Sequence, residues 1–206
     1  MKVAVIDYGR GNIHSVCKAV TQLGAEPVIA AEPTAVSGQG IAILPGTGAF
    51  SDAMTGLAAR GLDTAVRGFA AQGKPLLGIC LGMQALMTQG DEGGTRAGLG
   101  WIPGTTRLLR AGGRKLPHTG WNSVEFLRGS DLTAGIPSQT YFYFAHSYAV
   151  VPEDGFDVIG LTCYGERFAA MIGRGRIWGV QFHPEKSGRQ GLRLLANFLS
   201  LGGDPR

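Results

Sequence analysis

A cysteine, a histidine and a carboxylate, each in a local setting that suits catalysis, are the residues of this chain most able to do chemistry. Cys80 stands in Gly78-Ile79-Cys80-Leu81-Gly82, directly after the apolar run Pro75-Leu76-Leu77-Gly78-Ile79. A strand running in, a thiol at a sharp turn and a helix running out make a nucleophile elbow with sulfur in place of oxygen. The flanking glycines omit Cβ atoms where the tight turn brings backbone segments together. The positive end of the outgoing helix favours an anion at the sulfur. Its free N–H groups, that of Leu81 first, point at an oxygen that gains charge when sulfur attacks a carbonyl.

Thiol chemistry also needs a base that takes and returns a proton, and a group that orients the base. Gln181-Phe182-His183-Pro184-Glu185 offers both. An imidazole titrates in the useful range, and His183 and Glu185, two apart, point to the same side of an extended backbone. Pro184 stiffens the segment and discourages helix. A separation of about a hundred residues from Cys80 is no objection, because such groups meet in space rather than in sequence. A third element is Leu44-Pro45-Gly46-Thr47-Gly48, after the apolar run Ile41-Ala42-Ile43-Leu44. A glycine loop of this kind presents backbone N–H groups to an anion. One N–H from the Thr47–Gly48 region, with that of Leu81, would complete an oxyanion hole.

The elements that must position these residues follow from periodicity. Val3 to Ile6 reads as a buried strand. From Asn12, an N-cap candidate, apolar residues recur at Ile13, Val16, Cys17, Val20 and Leu23 before Gly24, which predicts an amphipathic helix with Cys17 in the core. Pro27–Ala30 and Ile41–Leu44 read as strands, Leu62 to Ala70 as a helix stopping near Gly73, and then the elbow strand and its helix follow. This alternation predicts an α/β fold: an open, mostly parallel sheet with helices on both faces. After Gly90 short strand-like runs take over: Thr105–Leu109, Ser123–Phe126, Tyr141–Phe144, Val158–Leu161, Ala169–Ile172 and Ile177–Phe182. Hairpin signals such as Gly173-Arg174-Gly175-Arg176 separate some of them, and predict an antiparallel extension of the sheet. A last helix is expected from about Ser187. No linker or repeat divides the chain, so residues 1–206 are expected to form one domain.

Composition narrows the function classes. The 206 residues are 44% hydrophobic and 17% charged, the balance of a compact soluble protein. The formal net charge of +4 comes without a dense Lys/Arg stripe, so no nucleic-acid partner is expected. No apolar stretch approaches the roughly 20 residues needed to span a bilayer, so no membrane association is expected. Three cysteines, Cys17, Cys80 and Cys163, form neither a disulfide framework nor a zinc pattern. A reducing, cytoplasmic setting is expected, with no metal and no cofactor. Gly9-Arg10-Gly11 lacks the third glycine of a dinucleotide fingerprint, because position 14 is His14. His118 and His146 are expected to be hydrogen-bonded structural residues.

The Cys80 elbow, the Pro-Gly-Thr-Gly loop and the Phe-His-Pro-Glu segment together resemble the class I, triad-type glutamine amidotransferases. Four longer markers narrow the resemblance: Asp7-Tyr8-Gly9-Arg10-Gly11-Asn12, Pro117-His118-Thr119-Gly120-Trp121-Asn122, Tyr143-Phe144-Ala145-His146-Ser147-Tyr148 and Gly179 to Ser187. Within the class they are similar to the glutaminase subunits of imidazole glycerol phosphate synthases, over residues 2 to about 201. The resemblance implies hydrolysis of L-glutamine to glutamate and ammonia by Cys80, His183 and Glu185. It implies an oxyanion hole at Thr47, Gly48 and Leu81, and glutamine binding by Gln84 and by the backbone around Ser147 and Tyr148. It also implies a heterodimer with a cyclase subunit that uses the ammonia in histidine biosynthesis. The products there are imidazole glycerol phosphate and aminoimidazole carboxamide ribotide, and acceptor binding in the partner activates the glutaminase. Thr47 departs from the valine usual in these subunits, and its hydroxyl can bond locally and bias the oxyanion peptide. Two alternatives use the same fold: a glutaminase for another synthase, such as a pyridoxal phosphate enzyme, and a catalytically silent binding subunit.

Overall fold

Apolar runs four or five residues long, each followed by a glycine turn or a helix, give the first half of the chain its buried strands. The computed structural model describes residues 1–202; residues 203–206, the end of the expected domain, lie outside it. In chain order the first elements are β1 (Lys2–Ile6), α1 (Ile13–Gln22), β2 (Glu26–Ala30), α2 (Pro33–Ser37), β3 (Ala42–Gly46), α3 (Phe50–Ala59), α4 (Leu62–Ala71), β4 (Leu76–Cys80) and α5 (Leu81–Ala85). They are followed by β5 (Met87–Gly90), β6 (Arg96–Ala97), β7 (Ile102–Leu108), β8 (His118–Phe126), β9 (Thr140–His146), β10 (Tyr148–Pro152), β11 (Val158–Tyr164), β12 (Glu166–Arg174), β13 (Ile177–Val180) and α6 (Gly188–Ser200).

The main sheet has nine strands in the order β2-β1-β3-β4-β13-β12-β11-β8-β9. Pairing is parallel from β2 to β13 and antiparallel from β13 to β9. The sheet is therefore mixed, with a parallel half and an antiparallel half. β1 shows why the parallel half is buried on both faces: Val3 and Val5 join one core with Val16, Val20 and Phe198, whereas Ala4 and Ile6 join another with Leu57, Val66 and Phe69. Alternate residues point to opposite faces, and a helix layer covers each.

The position of β13 decides where the chemistry sits. It is the last strand in sequence, yet it lies against β4 near the middle of the sheet, with Val180 opposite Ile79. On the other side of β4, Gly46 pairs with Cys80. The C-terminal ends of β3, β4 and β13 are thus side by side. The glycine loop, the thiol and the His-Pro-Glu segment leave the sheet at one rim, the edge at which open α/β sheets bind ligands.

Not every element follows the expectation. The antiparallel extension exists, but the run expected there at Ile177–Phe182 supplies β13, which pairs in parallel with β4, and the run expected at Thr105–Leu109 falls largely in β7, in a second sheet of four strands, β10-β7-β5-β6. The cause is α5, which ends after five residues and lets the chain resume an extended path at Met87 alongside Ile102. Helix α3 was readable, since Phe50, Ala53 and Leu57 lie on its buried face. Asn12 precedes α1, but its side chain makes no cap bond among the described residues. Cys17 packs on the margin of the core and is half-buried. The Gly-Arg-Gly-Arg hairpin is present, with Arg174 opposite Ile177 and Gly175 left-handed at φ 59°. Among the described residues, no helix is long and apolar enough to cross a membrane.

Candidate active site

Cys80 has φ 55° and ψ −109°. Among the described residues only Gln139 shares a positive φ without being glycine. Such a conformation costs about 1–3 kcal/mol and persists only where the surroundings enforce it. Close packing does so here. A Cβ on Gly82 would run into the Leu44 carbonyl, and one on Gly78 would lie 2.6 Å from the Gly82 carbonyl oxygen. The two glycines let α5 sit directly on β3 and β4, which forces the chain to turn at Cys80. The side chain is 5% exposed.

His183 follows β13 and begins a single 3-10 turn, Pro184–Lys186, where an extended segment was expected; Pro184 stands at the first position of the turn, where its missing N–H costs nothing. His183 is pinned from two directions. Its N–H donates to the Tyr143 carbonyl at 2.8 Å. Ser187 Oγ donates to the His183 carbonyl at 2.6 Å and accepts the Tyr143 N–H at 2.9 Å. Ser187 is buried and ties this turn to β9, a role beyond the helix start that its place in the sequence suggests. His183 Nδ1 lies 2.9 Å from Glu185 Oε1, with both side chains buried. The Cys80 sulfur flanks the same ring. Burial acts against a charged imidazole, but sulfur and carboxylate outweigh it, and the pKa is pushed up to about 10. The second carboxylate oxygen, Oε2, is buried and meets no partner among the described residues.

In front of Cys80 lies a cavity of ≈ 230 Å³. Thr47, Gly48, Leu81, Gln84, Ser147 and Tyr148 all line it, so every expected oxyanion and binding residue meets there. Thr47 and Gly48 are exposed at its mouth, and Gly48 is left-handed at φ 100°. Gln84 is buried, and its Nε2 donates to the Tyr148 carbonyl at 3.2 Å and to Gln181 Oε1 at 3.1 Å. Its own Oε1 is left to face a donor.

Glu92 also lines the cavity. Its Oε2 accepts the Phe50 N–H, at the start of α3, at 2.6 Å. Sequence reasoning missed it, because Asp91-Glu92-Gly93-Gly94 reads as an ordinary turn. His146 borders the cavity too, and Gln181 Nε2 lies 3.6 Å from Cys80 Sγ. His118 and His146 are hydrogen-bonded, as expected, and to each other, at 3.0 Å. The arrangement has the parts of nucleophilic acyl chemistry: a thiol on a strained elbow, a carboxylate-held imidazole flanking the thiol, and a polar cleft that the thiol lines.

A family model described as glutamine amidotransferase class-I matches residues 4–201. Among curated proteins, an imidazole glycerol phosphate synthase subunit HisH from Symbiobacterium thermophilum is 49% identical over 96% of this chain and 92% of its own length. A protein of the same name from Moorella thermoacetica is 50% identical, over 95% of this chain and 93% of its own length. Among solved structures, a glutamine amidotransferase superimposes with a TM-score of 0.77 at 20% identity, over 98% and 99% of the two chains. PurLQS from Thermotoga maritima gives 0.76 at 19% identity, over 97% of each chain. At that identity the structural likeness speaks for the fold.

Proposed function

Because the chain belongs to the class-I glutamine amidotransferases, we propose that it is the glutaminase subunit of an imidazole glycerol phosphate synthase. It hydrolyses L-glutamine to glutamate and ammonia and passes the ammonia to a cyclase subunit in histidine biosynthesis. The observation that carries this reading is the left-handed Cys80 beside the His183–Glu185 pair, at the base of a cleft. Relatives named for the HisH subunit, similar over nearly the whole chain, support the choice of synthase.

The residues assign the steps. Glutamine enters with its side-chain amide at Cys80. The Glu92 carboxylate and Gln84 Oε1 suit its α-ammonium group, because both accept. Backbone N–H groups around Ser147 and Tyr148 suit its carboxylate. Cys80 Sγ, as thiolate beside imidazolium, attacks the amide carbon. The carbonyl π electrons move to oxygen, which is held by the N–H of Leu81 and one from the Thr47–Gly48 region. Collapse re-forms the carbonyl and breaks the C–N bond, while His183 gives its proton to the leaving nitrogen. A water then attacks the glutamyl thioester. His183 takes its proton, sulfur leaves and glutamate is released. Glu185 keeps the imidazole in one tautomer and favours its charged form throughout.

Ammonia released into neutral solution is mostly ammonium, which has no lone pair to attack with. Direct transfer to a partner is therefore the natural companion of this chemistry, and the word subunit in the relatives' names points the same way. We place the heterodimer in the cytoplasm, where three unpaired cysteines suit the redox poise. The test is a glutamine-hydrolysis assay with and without a cyclase subunit and its nucleotide. Hydrolysis that rises when both are added is expected. Hydrolysis indifferent to them would reject the partner, and none under any condition would reject the glutaminase.

A further inference from the structure

A second network of polar side chains, separate from the His183–Glu185 pair, ends at the same sulfur. Gln181 is fully buried, with Nε2 3.6 Å from Cys80 Sγ. Its Oε1 accepts from Gln84 Nε2, which also donates to the Tyr148 carbonyl. His146 Nδ1 reaches that same carbonyl at 2.8 Å. His146 Nε2 lies 3.0 Å from His118 Nδ1, and His118 Nε2 lies 3.4 Å from Asn122 Nδ2. Asn122 is itself fixed: Nδ2 donates to the Cys163 carbonyl at 2.9 Å, and Oδ1 accepts the Ser123 N–H at 2.9 Å.

One atom sets the direction of the whole chain. A carbonyl oxygen only accepts. The Tyr148 carbonyl therefore requires N–H from both neighbours. On one side, Gln84 must turn its NH2 toward it. The second N–H of that group then meets Gln181, which must answer with its oxygen and turn its nitrogen toward the sulfur. On the other side, His146 must hold its proton on Nδ1. Its Nε2 is left as an acceptor, so His118 carries a proton on Nδ1 and accepts from Asn122 at Nε2. Both imidazoles are neutral in this pattern, since a protonated ring would set two donors face to face. Burial holds them so, with help from Arg114 at His118: their pKa values are pushed down to about 4 for His118 and about 3 for His146.

We propose that Gln181 is a further catalytic residue, whose amide donates a hydrogen bond to the Cys80 thiolate. The Tyr148 carbonyl and the His146–His118–Asn122 chain are the positioning device that keeps this donor aimed at sulfur. A charged acceptor forms the stronger bond, so the contact tightens as the nucleophile ionises. In the neutral thiol the S–H proton has its own outlet, the Ala145 carbonyl at 3.8 Å. This inference rests on the function proposed above, in that Cys80 must be the nucleophile.

The test is alkylation of the full-length chain by iodoacetamide at neutral pH, read by peptide mass at each cysteine. Cys163 is exposed and Cys17 half-buried, so both serve as internal controls. Gln181→Glu keeps the shape and the oxygen toward Gln84 but replaces the donor with an anion. Gln181→Met keeps the bulk without the donor. Alkylation of Cys80 is expected to slow about tenfold or more in both, with Cys163 unchanged. His118→Phe keeps the stack on Phe144 and Tyr164, at 4.9 and 4.2 Å, and deletes the ring nitrogens. It is expected to slow Cys80 roughly two- to fivefold, and His118→Asn, which returns an N–H near the place of Nδ1, to restore the rate. If the Gln181 variants misfold, as a jump in Cys17 labelling would reveal, the His118 pair decides in their place. Folded Gln181 variants labelled at the native rate overturn the inference and leave the nucleophile assignment intact. Native Cys80 labelled no faster than Cys163 overturns both.

Discussion

The two flanks of Cys80 are built on different physics. On the β3–β4 flank, sterics hold the nucleophile. Gly78 and Gly82 let backbone meet backbone with no polar side chain involved, and the elbow is imposed by close contact. On the β13–β9 flank, hydrogen bonds aim the polar groups. Glu185, Ser187, Gln181, Gln84, His146 and His118 each occupy a fixed place in a directed network. A steric device tolerates no added atom, yet is indifferent to pH. A hydrogen-bonded device tolerates changes of size better than changes of polarity, and it answers to protons.

The largest effects should come where the flanks meet. Cys80→Ala is expected to lower glutamine hydrolysis at least about a thousandfold, while synthesis from added ammonium salt by the complex continues. Assays with the two nitrogen sources check this. On the steric flank, Gly82→Ala drives a Cβ into the Leu44 carbonyl and should destabilise the fold by about 2 kcal/mol or more. Denaturant melts would show this at every pH alike.

The hydrogen-bonded flank should instead respond to pH. His183 binds its proton more tightly in the fold, with a pKa of about 10 against 6.5. Its contribution to stability is therefore fully present below pH 6.5 and is lost as pH rises through about 10. Glu185→Gln removes one of the two charges that raise this pKa. The basic limb of kcat/KM should then move to lower pH by about one unit, with kcat reduced roughly a hundredfold. His118 and His146 behave in the opposite sense, with folded pKa values of about 4 and about 3. Their contribution is present above pH 6.5 and is lost as pH falls through those values. Melting temperature should drop between pH 6.5 and 4, and His118→Phe should flatten that slope. An unchanged slope would remove the pair from the acid response. The smallest effect belongs to the mouth of the cleft. Thr47→Val should change the ratio of glutaminase rates with and without partner by no more than a few-fold; an unchanged ratio would leave the Thr47 hydroxyl without a role.

The same division explains what was legible in the sequence. Steric devices leave local marks, since a close approach demands glycine at the position itself. The elbow around Cys80 could therefore be read directly, and so could the glycine loop, where Gly46 packs against Leu81 and Gly48 is left-handed at φ 100°. His183 and Glu185 were also legible as a pair two apart, although the backbone that joins them is a 3-10 turn, Pro184–Lys186, and not the extended segment expected. The hydrogen-bonded flank is assembled from β8, β9, α5 and the end of β13, and no spacing predicts which of these strands become neighbours. Gln181 thus read as one more polar residue in a marker, Ser187 as a helix start and Glu92 as part of a turn. β1 to β4 followed from their apolar runs, whereas β13 was expected in the antiparallel extension and instead pairs in parallel with β4. The second sheet did not follow either, because it depends on α5 stopping after five residues, and no glycine or proline marks that stop.

Reaction of a glutamine-analogue electrophile with the chain, with cyclase subunit and acceptor nucleotide present, tests the convergence of the two flanks most directly. A single adduct on Cys80, suppressed by excess glutamine and absent in Cys80→Ser, is the expected result. Labelling at another residue, or an unlabelled Cys80 under all conditions, would contradict the account.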